Sequence, residues 1–425
     1  MGGSEMRLEE VCAHITDGKH GDCENQADSG FYFLSCKDVS DGTIHYEDAR
    51  QITEADFRDT HRRTKLEPWD ILITNSGTIG RMALAPANDL TSRTTFQKSV
   101  AILKPIKEKA NPRFLFYMLH AERDRLISFA GGTAQKNLLL RDLRAFKINV
   151  PCLSTQCHVA SILSAYDDLV ENNTRRIKIS EQMAQMLYRE WFVNFRFPGH
   201  EKVKMVESEV GQTPADWKMA RLEDVCLSLE DGDWIESKDQ GGTDYRLLQV
   251  SNIGVDEFVE TGNLRFITRE TYERLHCREV NPGELLVSRM PKPTGRAWLV
   301  KRMPWPMITA VDVAILKPNP ETVDSLFLTY FLNSTEHLSR VEKRTTGTTR
   351  PRISRRDLSS LPIALAPLAL QQKLGCHIEA AHKLGECLRE KNSVLRTTRD
   401  LLLPKLVSGE VSVGQVESEA VVQTV

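Results

Sequence analysis

The sequence has no apolar run long enough for a membrane. A bilayer-spanning helix needs ~20 such residues. The best stretch, Leu361–Leu370, is ten residues long and holds Pro362 and Pro367. Residues Met1–Glu10 carry no apolar leader, so the expected location is the cytosol. Charge of one sign is also missing: 56 Lys+Arg stand against 58 Asp+Glu, a formal net charge of −2. This excludes a uniformly basic nucleic-acid coat protein but leaves room for local basic faces. The nine cysteines form no C-x-x-C pair and read as reduced, mostly buried thiols. Cys12, His14, His20 and Cys23 lie close enough to suggest zinc, but without metal-ligand spacing. The counterpart of Cys12, Cys226, has no histidine near it, which favours a structural reading.

Catalytic signatures are absent too. There is no G-x-x-x-x-G-K-[ST] loop, no G-x-G-x-x-G, no G-x-S-x-G elbow and no H-E-x-x-H pair. The Asn-Pro-Pro-aromatic tetrapeptide of amino-methyltransferases is approached only by Asn111-Pro-Arg-Phe114. Carboxylates are scattered. A binding protein fits better than a catalyst.

What is present is a duplication. Arg7-Leu-Glu-Glu-Val-Cys12 reappears as Arg221-Leu-Glu-Asp-Val-Cys226, 214 residues later. Asp17-Gly18 returns as Asp231-Gly232, Pro68–Ile73 as Pro282–Val287, and Gly80-Arg81 as Gly295-Arg296. Val100-Ala-Ile-Leu-Lys-Pro105 matches Val313–Pro318, Gly132-Thr133 matches Gly347-Thr348, and Arg141-Asp-Leu143 matches Arg356-Asp-Leu358. A period this long is a domain, not a solenoid unit. With 425 residues at ~150 per domain, two such domains plus appendages fill the chain.

Each copy mixes short strand-like runs such as Ile71–Ile73, Val100–Leu103 and Leu285–Val287 with helical stretches over Pro112–Ile127 and Val323–Glu342. The fold class is therefore α+β: two pseudo-repeated globular domains separated by two long antiparallel coiled-coil helices. The first long helix is expected over about Ser154–Phe195, with Val159, Ile162, Tyr166, Leu169, Ile177, Ala184, Leu187 and Trp191 as its apolar positions. The second, about Leu370–Val407, steps through Leu374, Ile378, Ala381, Gly385, Leu388, Asn392, Leu395, Arg399, Leu402 and Leu406 in the three–four spacing of a coiled-coil seam. A helix of roughly 60 Å cannot bury such a stripe on its own small domain. The two helices are expected to pair with each other. Asn173 and Asn392 either meet inside that seam and set its register, or face solvent where it frays. The expected divisions are 1–150, a first globular unit; 151–199, a first helix; 200–366, linker and second unit; 367–412, a second helix; and 413–425, a mobile tail.

Positive charge gathers locally. Val287–Arg302 has five bases and no acid, and Arg340–Arg356 has seven bases and one acid. The first copy has weaker equivalents in Gly131–Lys147 and Arg93–Lys98. Arg and Lys neutralise phosphates, Arg reads guanine with a bidentate fork, and Asn and Gln read adenine. Gln135-Lys136-Asn137 offers both functions in one Gly-Thr loop, and Trp234 follows Asp231-Gly-Asp233 where an aromatic face can meet a sugar or base.

Taken together, the duplicated R-L-x-[ED]-V-C opening, the Asp70–Arg81 stretch, the Gly132–Asn137 loop, the Pro-then-Gln entry to each helix at Gln156 and Gln372, and Leu401–Glu410 resemble the specificity subunits of type I restriction–modification systems. The resemblance spans nearly the whole chain. It implies two target-recognition domains, each reading half of a bipartite duplex site. It implies paired helices that set the spacer and dock two modification (methyltransferase) subunits, with a restriction subunit able to join. S-adenosylmethionine, magnesium and ATP would bind those partners, and no cofactor or metal this chain. The chain itself would catalyse nothing. DNA-contact candidates are Lys19, His20, Asn75, Ser76, Arg81, Gln135, Lys136 and Asn137 in the first copy, and Trp234, Arg289, Lys292, Arg296, Arg350 and Arg352 in the second. The second copy departs from the first at Arg289-Met-Pro-Lys-Pro-Thr294 and Thr348-Thr-Arg-Pro-Arg352, differences expected of half-site specificity. The rival readings are a stand-alone DNA-processing enzyme and a coiled-coil scaffold that binds no DNA.

Overall fold

A computed structural model of the chain describes residues 3–40, 42–131, 137–290 and 293–411. Gln135, Lys136, Lys292 and the expected tail lie outside them. The chain divides into two compact units, Met1–Thr174 with Arg389–Val425, and Arg175–Leu388.

In the first unit a four-stranded antiparallel sheet has the order Cys12–Asp17, Val100–Pro105, Ile71–Thr74, Met82–Leu84. The two central strands, Val100–Pro105 and Ile71–Thr74, are largely apolar because both faces are covered, whereas the edge strand Cys12–Asp17 leaves Ala13 and His14 exposed. Ile71, Ile73, Ala101 and Leu103 point to a core with Phe114, Leu115 and Phe146. Leu72, Ala83, Val100 and Ile102 point the other way, to Leu34, Val39 and Phe96. This is the two-residue period of a pleated strand. Tyr32–Leu34 pairs parallel with Thr94–Phe96, and Ser4–Arg7 pairs antiparallel with Lys147–Val150.

The second unit repeats this plan. Its sheet runs Cys226–Asp231, Val313–Pro318, Leu285–Ser288, Ala297–Leu299, with the same pairings. Even the irregularity in the first strand recurs, between Cys12 and His14 and between Cys226 and Ser228. Tyr245–Leu248 pairs parallel with Met307–Thr309, and Phe266–Ile267 adds a third, antiparallel strand where the first unit has a single bridge between Tyr32 and Gln51.

The two helical stretches expected after the sheets are each broken in two. The first is Pro112–Ala121 then Arg123–Ser128, with Glu122 out of helical geometry between them. The second is Ser325–Leu332 then Thr335–Lys343. There Asn333 accepts from Ala297 N at 2.9 Å and donates to Ala297 O at 2.8 Å, and Ser334 caps the next helix. A carboxamide anchored to a sheet edge interrupts a helix that periodicity alone would continue.

The long helices are Leu153–Tyr188, continued by one π-helical turn over Arg189–Val193, and Leu368–Ser408. Within the first unit, Val159, Ala160 and Leu163 share a core with Leu403 and Leu406. Further along, Asp167 meets Arg399 and Asn173 meets Asn392. Rising numbers on one helix meet falling numbers on the other, so the segments are antiparallel. In the second unit Ala184, Tyr188 and Trp191 pack with Leu374 and Ile378. Every expected seam position of the second helix is buried or half-buried. On the first helix Leu169 is the exception, 53% exposed. The neighbouring inward position is Asp167, which accepts from Tyr117 Oη at 2.5 Å as well as from Arg399.

A glutamine joins each long helix to its sheet domain. Gln156 accepts from Asn111 N at 2.7 Å and donates to Lys109 O and Pro151 O. In the second unit the residue is Gln371, not Gln372. Gln371 accepts from Asp324 N at 2.9 Å and donates to Thr322 O and Ala366 O, whereas Gln372 is exposed. Asn111 and Asp324 are themselves N-caps, accepting from Phe114 N and Phe327 N.

Candidate nucleic-acid interface

Three loops of the first unit are stitched together at one end of its sheet. After the first strand, Gly18 N donates to Val100 O, Lys19 N to Phe96 O at 2.8 Å, and Lys98 N to Lys19 O. After Ile71–Thr74, Asn75 N donates to Ser99 O at 3.0 Å, and Leu138 N donates to Asn75 O at 2.9 Å. Asn137 exchanges two backbone hydrogen bonds with Gly131 and bridges to Ser76. Lys19, His20, Asn75, Ser76 and Asn137 are thereby brought together, although up to 118 positions separate them.

The second unit closes the same stitches. Gly232 N donates to Val313 O and Asp233 N to Thr309 O. Arg289 N donates to Asp312 O at 2.9 Å, and Ile353 N to Arg289 O at 3.1 Å. Thr346 and Arg352 exchange two bonds as Gly131 and Asn137 do. Two repeated glycines are explained by this backbone. A Cβ on Gly18 would fall 2.0 Å from Phe96 O, and one on Gly232 2.4 Å from Ala310 O. Gly80 and Gly295, which precede the repeated arginines, sit at φ of +81° and +96°.

The side chains differ in availability. Trp234 is 71% exposed, and Arg350, Asn137 and His20 are exposed, with His20 Nε2 lying 3.1 Å from Asp17 Oδ2. Ser76 and Arg81 are half-buried. Arg352 is half-buried and pairs with Asp312 at 3.0 Å. Lys19 is held by Asp56 at 3.1 Å and Asp59 at 3.6 Å, and the hydrogen bond to Asp56 raises its pKa. Asn75 is buried, with its Oδ1 unpartnered.

Two candidates are corrected. Arg296 is buried and donates to the carbonyls of Ile253, Val250 and Pro293. Arg289 is buried, donates to Val311 O at 2.6 Å and pairs with Asp231 at 3.1 Å. Burial lowers both guanidinium pKa values from their ordinary level. Arg289 is an internal cross-link of the loop cluster, and Arg296 ties its own loop to Val250 and Ile253, rather than either standing as a free cation. Sequence reasoning counted Arg355 and Arg356 in a basic window but did not single them out; both are exposed beside this cluster. Asp233, whose carboxylate accepts from Arg278 N at 3.1 Å, has its pKa raised to about 6 by burial.

Among the described residues no group of three or more His, Cys, Asp or Glu is placed to hold a metal, and no helix is long and apolar enough to cross a membrane. The Cys12 thiol is pushed up to about 12, by burial first and then by Asp70.

The duplicated fold coincides with a duplicated family match. The model of the type I restriction modification DNA specificity domain matches residues 4–181 and again 214–386. The chain belongs to this family. It is 23% identical over 368 residues to the type I restriction enzyme MjaIX specificity subunit of Methanocaldococcus jannaschii, covering 86% of this chain and 82% of that one. It is 23% identical over 304 residues to the MjaVIII specificity subunit of the same organism, covering 71% and 70%. The crystal structure of the type I restriction–modification S subunit from M. genitalium shares the fold, with a TM-score of 0.54 at 14% identity over 95% of this chain and 96% of that one. In this specificity family member the two matched segments each contain one four-stranded sheet and its three stitched loops.

Proposed function

We propose that this chain reads a bipartite duplex DNA target, one half through each recognition domain, and catalyses no reaction itself. The observation that carries the reading is the pair of loop clusters. Both are built by equivalent backbone bonds at the corresponding end of each unit's own sheet, yet they present different side chains. One offers Asn137, Ser76 and His20, the other Trp234, Arg350 and Arg352. A shared scaffold with divergent polar loops suits two unlike half-sites, with phosphate contacts positioning and base-edge contacts specifying. The outer faces of the long helices dock two modification subunits, which bind S-adenosylmethionine and methylate adenine. A restriction subunit, which would bind magnesium and ATP, can join that assembly. Of the contact candidates, Lys19, His20, Asn75, Ser76, Arg81, Gln135, Lys136 and Asn137 serve the first half-site, and Trp234, Lys292, Arg350 and Arg352 the second.

Adenine-methylation mapping of genomic DNA, with and without this gene and with the modification subunit present, tests the reading. The expected result is a split motif with a fixed non-specific spacer that vanishes on deletion. An active modification subunit whose methylation does not depend on this chain would overturn it.

A further inference from the structure

The two recognition domains differ at one place beside the loop clusters. In the first, Arg144 Nη2 donates to Ile15 O on the edge strand of the sheet at 2.8 Å. The repeat places Ser359 at that position in the second domain, against Leu229. Ser359 is too short to repeat the contact and donates instead to Glu223 Oε2 at 2.7 Å. A cleft of about 650 Å³ lies there, lined among others by Glu223, Asp231, Arg289, Arg355, Arg356 and Ser359.

The charges of this cleft do not cancel. Asp231 is paired with Arg289, and Arg355 stands farther off, at 3.7 Å. Arg289 is 4% exposed as a side chain, and its Nε has no partner. Arg356 is exposed and makes no ion pair among the described residues. Two guanidiniums therefore remain against Glu223. Their counterparts in the first domain are Leu140 and Arg141, and Arg141 lies 3.4 Å from Asp142. The cleft also joins the loop cluster directly, because Arg289 is bonded through its backbone to Ile353, two residues before Arg355.

We infer that this cleft seats one phosphodiester of the DNA backbone beside the second half-site, held by Arg355 and Arg356, and that the equivalent place among the first domain's described residues, filled by Arg144, does not. The inference rests on the DNA-reading proposed above. An open, cation-rich cleft contiguous with the reading loops suits a backbone phosphate: it fixes register without reading a base. Free inorganic phosphate carries the same chemistry, and the experiment separates the two.

The test uses the full chain with its modification subunits. Binding of a labelled mixed-sequence duplex is measured across salt concentrations for the parent and for Arg356→Gln. Neutralising one phosphate contact should reduce the slope of log affinity against log salt by about 0.9. The melting temperature should stay unchanged, since Arg356 is exposed. A set of target duplexes with single methylphosphonates should then show one position that weakens the parent and not Arg356→Gln. An unchanged slope, or methylphosphonate effects identical in parent and variant, overturns the inference. So does inorganic phosphate protecting the cleft while duplex binding stays unaffected, and so does loss of modification subunits in place of loss of DNA. If the parent complex binds no duplex at all, it is the DNA-reading itself that fails.

Discussion

Asn173 donates through Nδ2 to Asn392 Oδ1 at 2.9 Å, inside the antiparallel helix pair of the first unit. Asn392 in turn donates to Val170 O and Thr174 Oγ1, both at 3.2 Å. The repeat-equivalent positions in the second unit are the apolar Ile177 and Leu388. This polar layer therefore has no counterpart at the equivalent described positions, and a shifted register would bury each carboxamide against apolar side chains. Asn392→Leu alone leaves a buried donor without an acceptor and should cost about 1–3 kcal/mol. Asn173→Leu with Asn392→Leu should be near neutral or stabilising, with looser register. A double-mutant cycle by denaturant unfolding reads this directly; additive single losses would contradict the paired arrangement.

Gln156 and Gln371 each satisfy three backbone groups at the junction of helix and sheet domain. Replacing either with leucine should destabilise its own unit by about 2–4 kcal/mol, because several buried groups lose partners at once. Gln372→Leu should be close to silent. Hydrogen exchange at Asn111–Leu115 or Asp324–Leu328 will show whether the loss is local to the mutated unit.

Gly18→Ala and Gly232→Ala drive a methyl into backbone carbonyls and should each cost about 1–3 kcal/mol. Gly131→Ala meets nothing within 4 Å and should change stability by less than about 0.5 kcal/mol. Thermal melts of the three variants decide the matter; equal effects would mean that the tight approach at the Asp-Gly corners is not what demands glycine.

His337 is fully buried against Phe331, and burial lowers its pKa to about 3. The folded protein keeps this ring neutral, while the unfolded chain takes up a proton below its ordinary value of 6.5. Its contribution is therefore complete above pH 6.5 and is lost as pH falls towards 3. Asp233 acts in the opposite sense. Its folded pKa is raised to about 6 from 3.8, so stability falls as pH rises through that window. His337→Phe should melt progressively higher than the parent between pH 7 and 5, and Asp233→Asn should remove the opposing trend. A His337→Phe advantage independent of pH would refute the assignment.

Arg350→Ala should weaken recognition of one half-site and leave the other intact, since Arg350 is exposed in the second loop cluster only. Methylation of a panel of single-base target variants measures it. Equal relaxation of both halves would contradict the division of labour between domains.

Much of this architecture could be read from the chain. The three–four spacing from Leu374 to Leu406 located the second helix seam because burial on one helix face depends only on local periodicity. The repeated Asp-Gly and Gly-Arg pairs were legible because backbone constraint acts on single residues. Other features were hidden. Leu169 fits the apolar pattern, yet Asp167 takes the inward position because Tyr117 and Arg399 are there to meet it. Gln372 and Gln371 are adjacent in sequence, and only the phase of the helix decides which one faces the sheet domain. The repeat also runs further than the domains: Val206-Glu-Ser-Glu209 recurs as Val416-Glu-Ser-Glu419.

Duplication, mixed helix–strand class, long paired helices and family were determined by order and spacing along the chain, since these follow from local periodicity and from similarity between its halves. Which cations remain exposed was decided only by tertiary structure. Arg296 and Arg350 are the same side chain in windows of similar charge. Arg296 is surrounded by carbonyls of Val250 and Ile253, more than 40 positions earlier, while Arg350 has open water. A guanidinium's availability is set by the donors and acceptors that folding brings around it, and these come from distant parts of the chain.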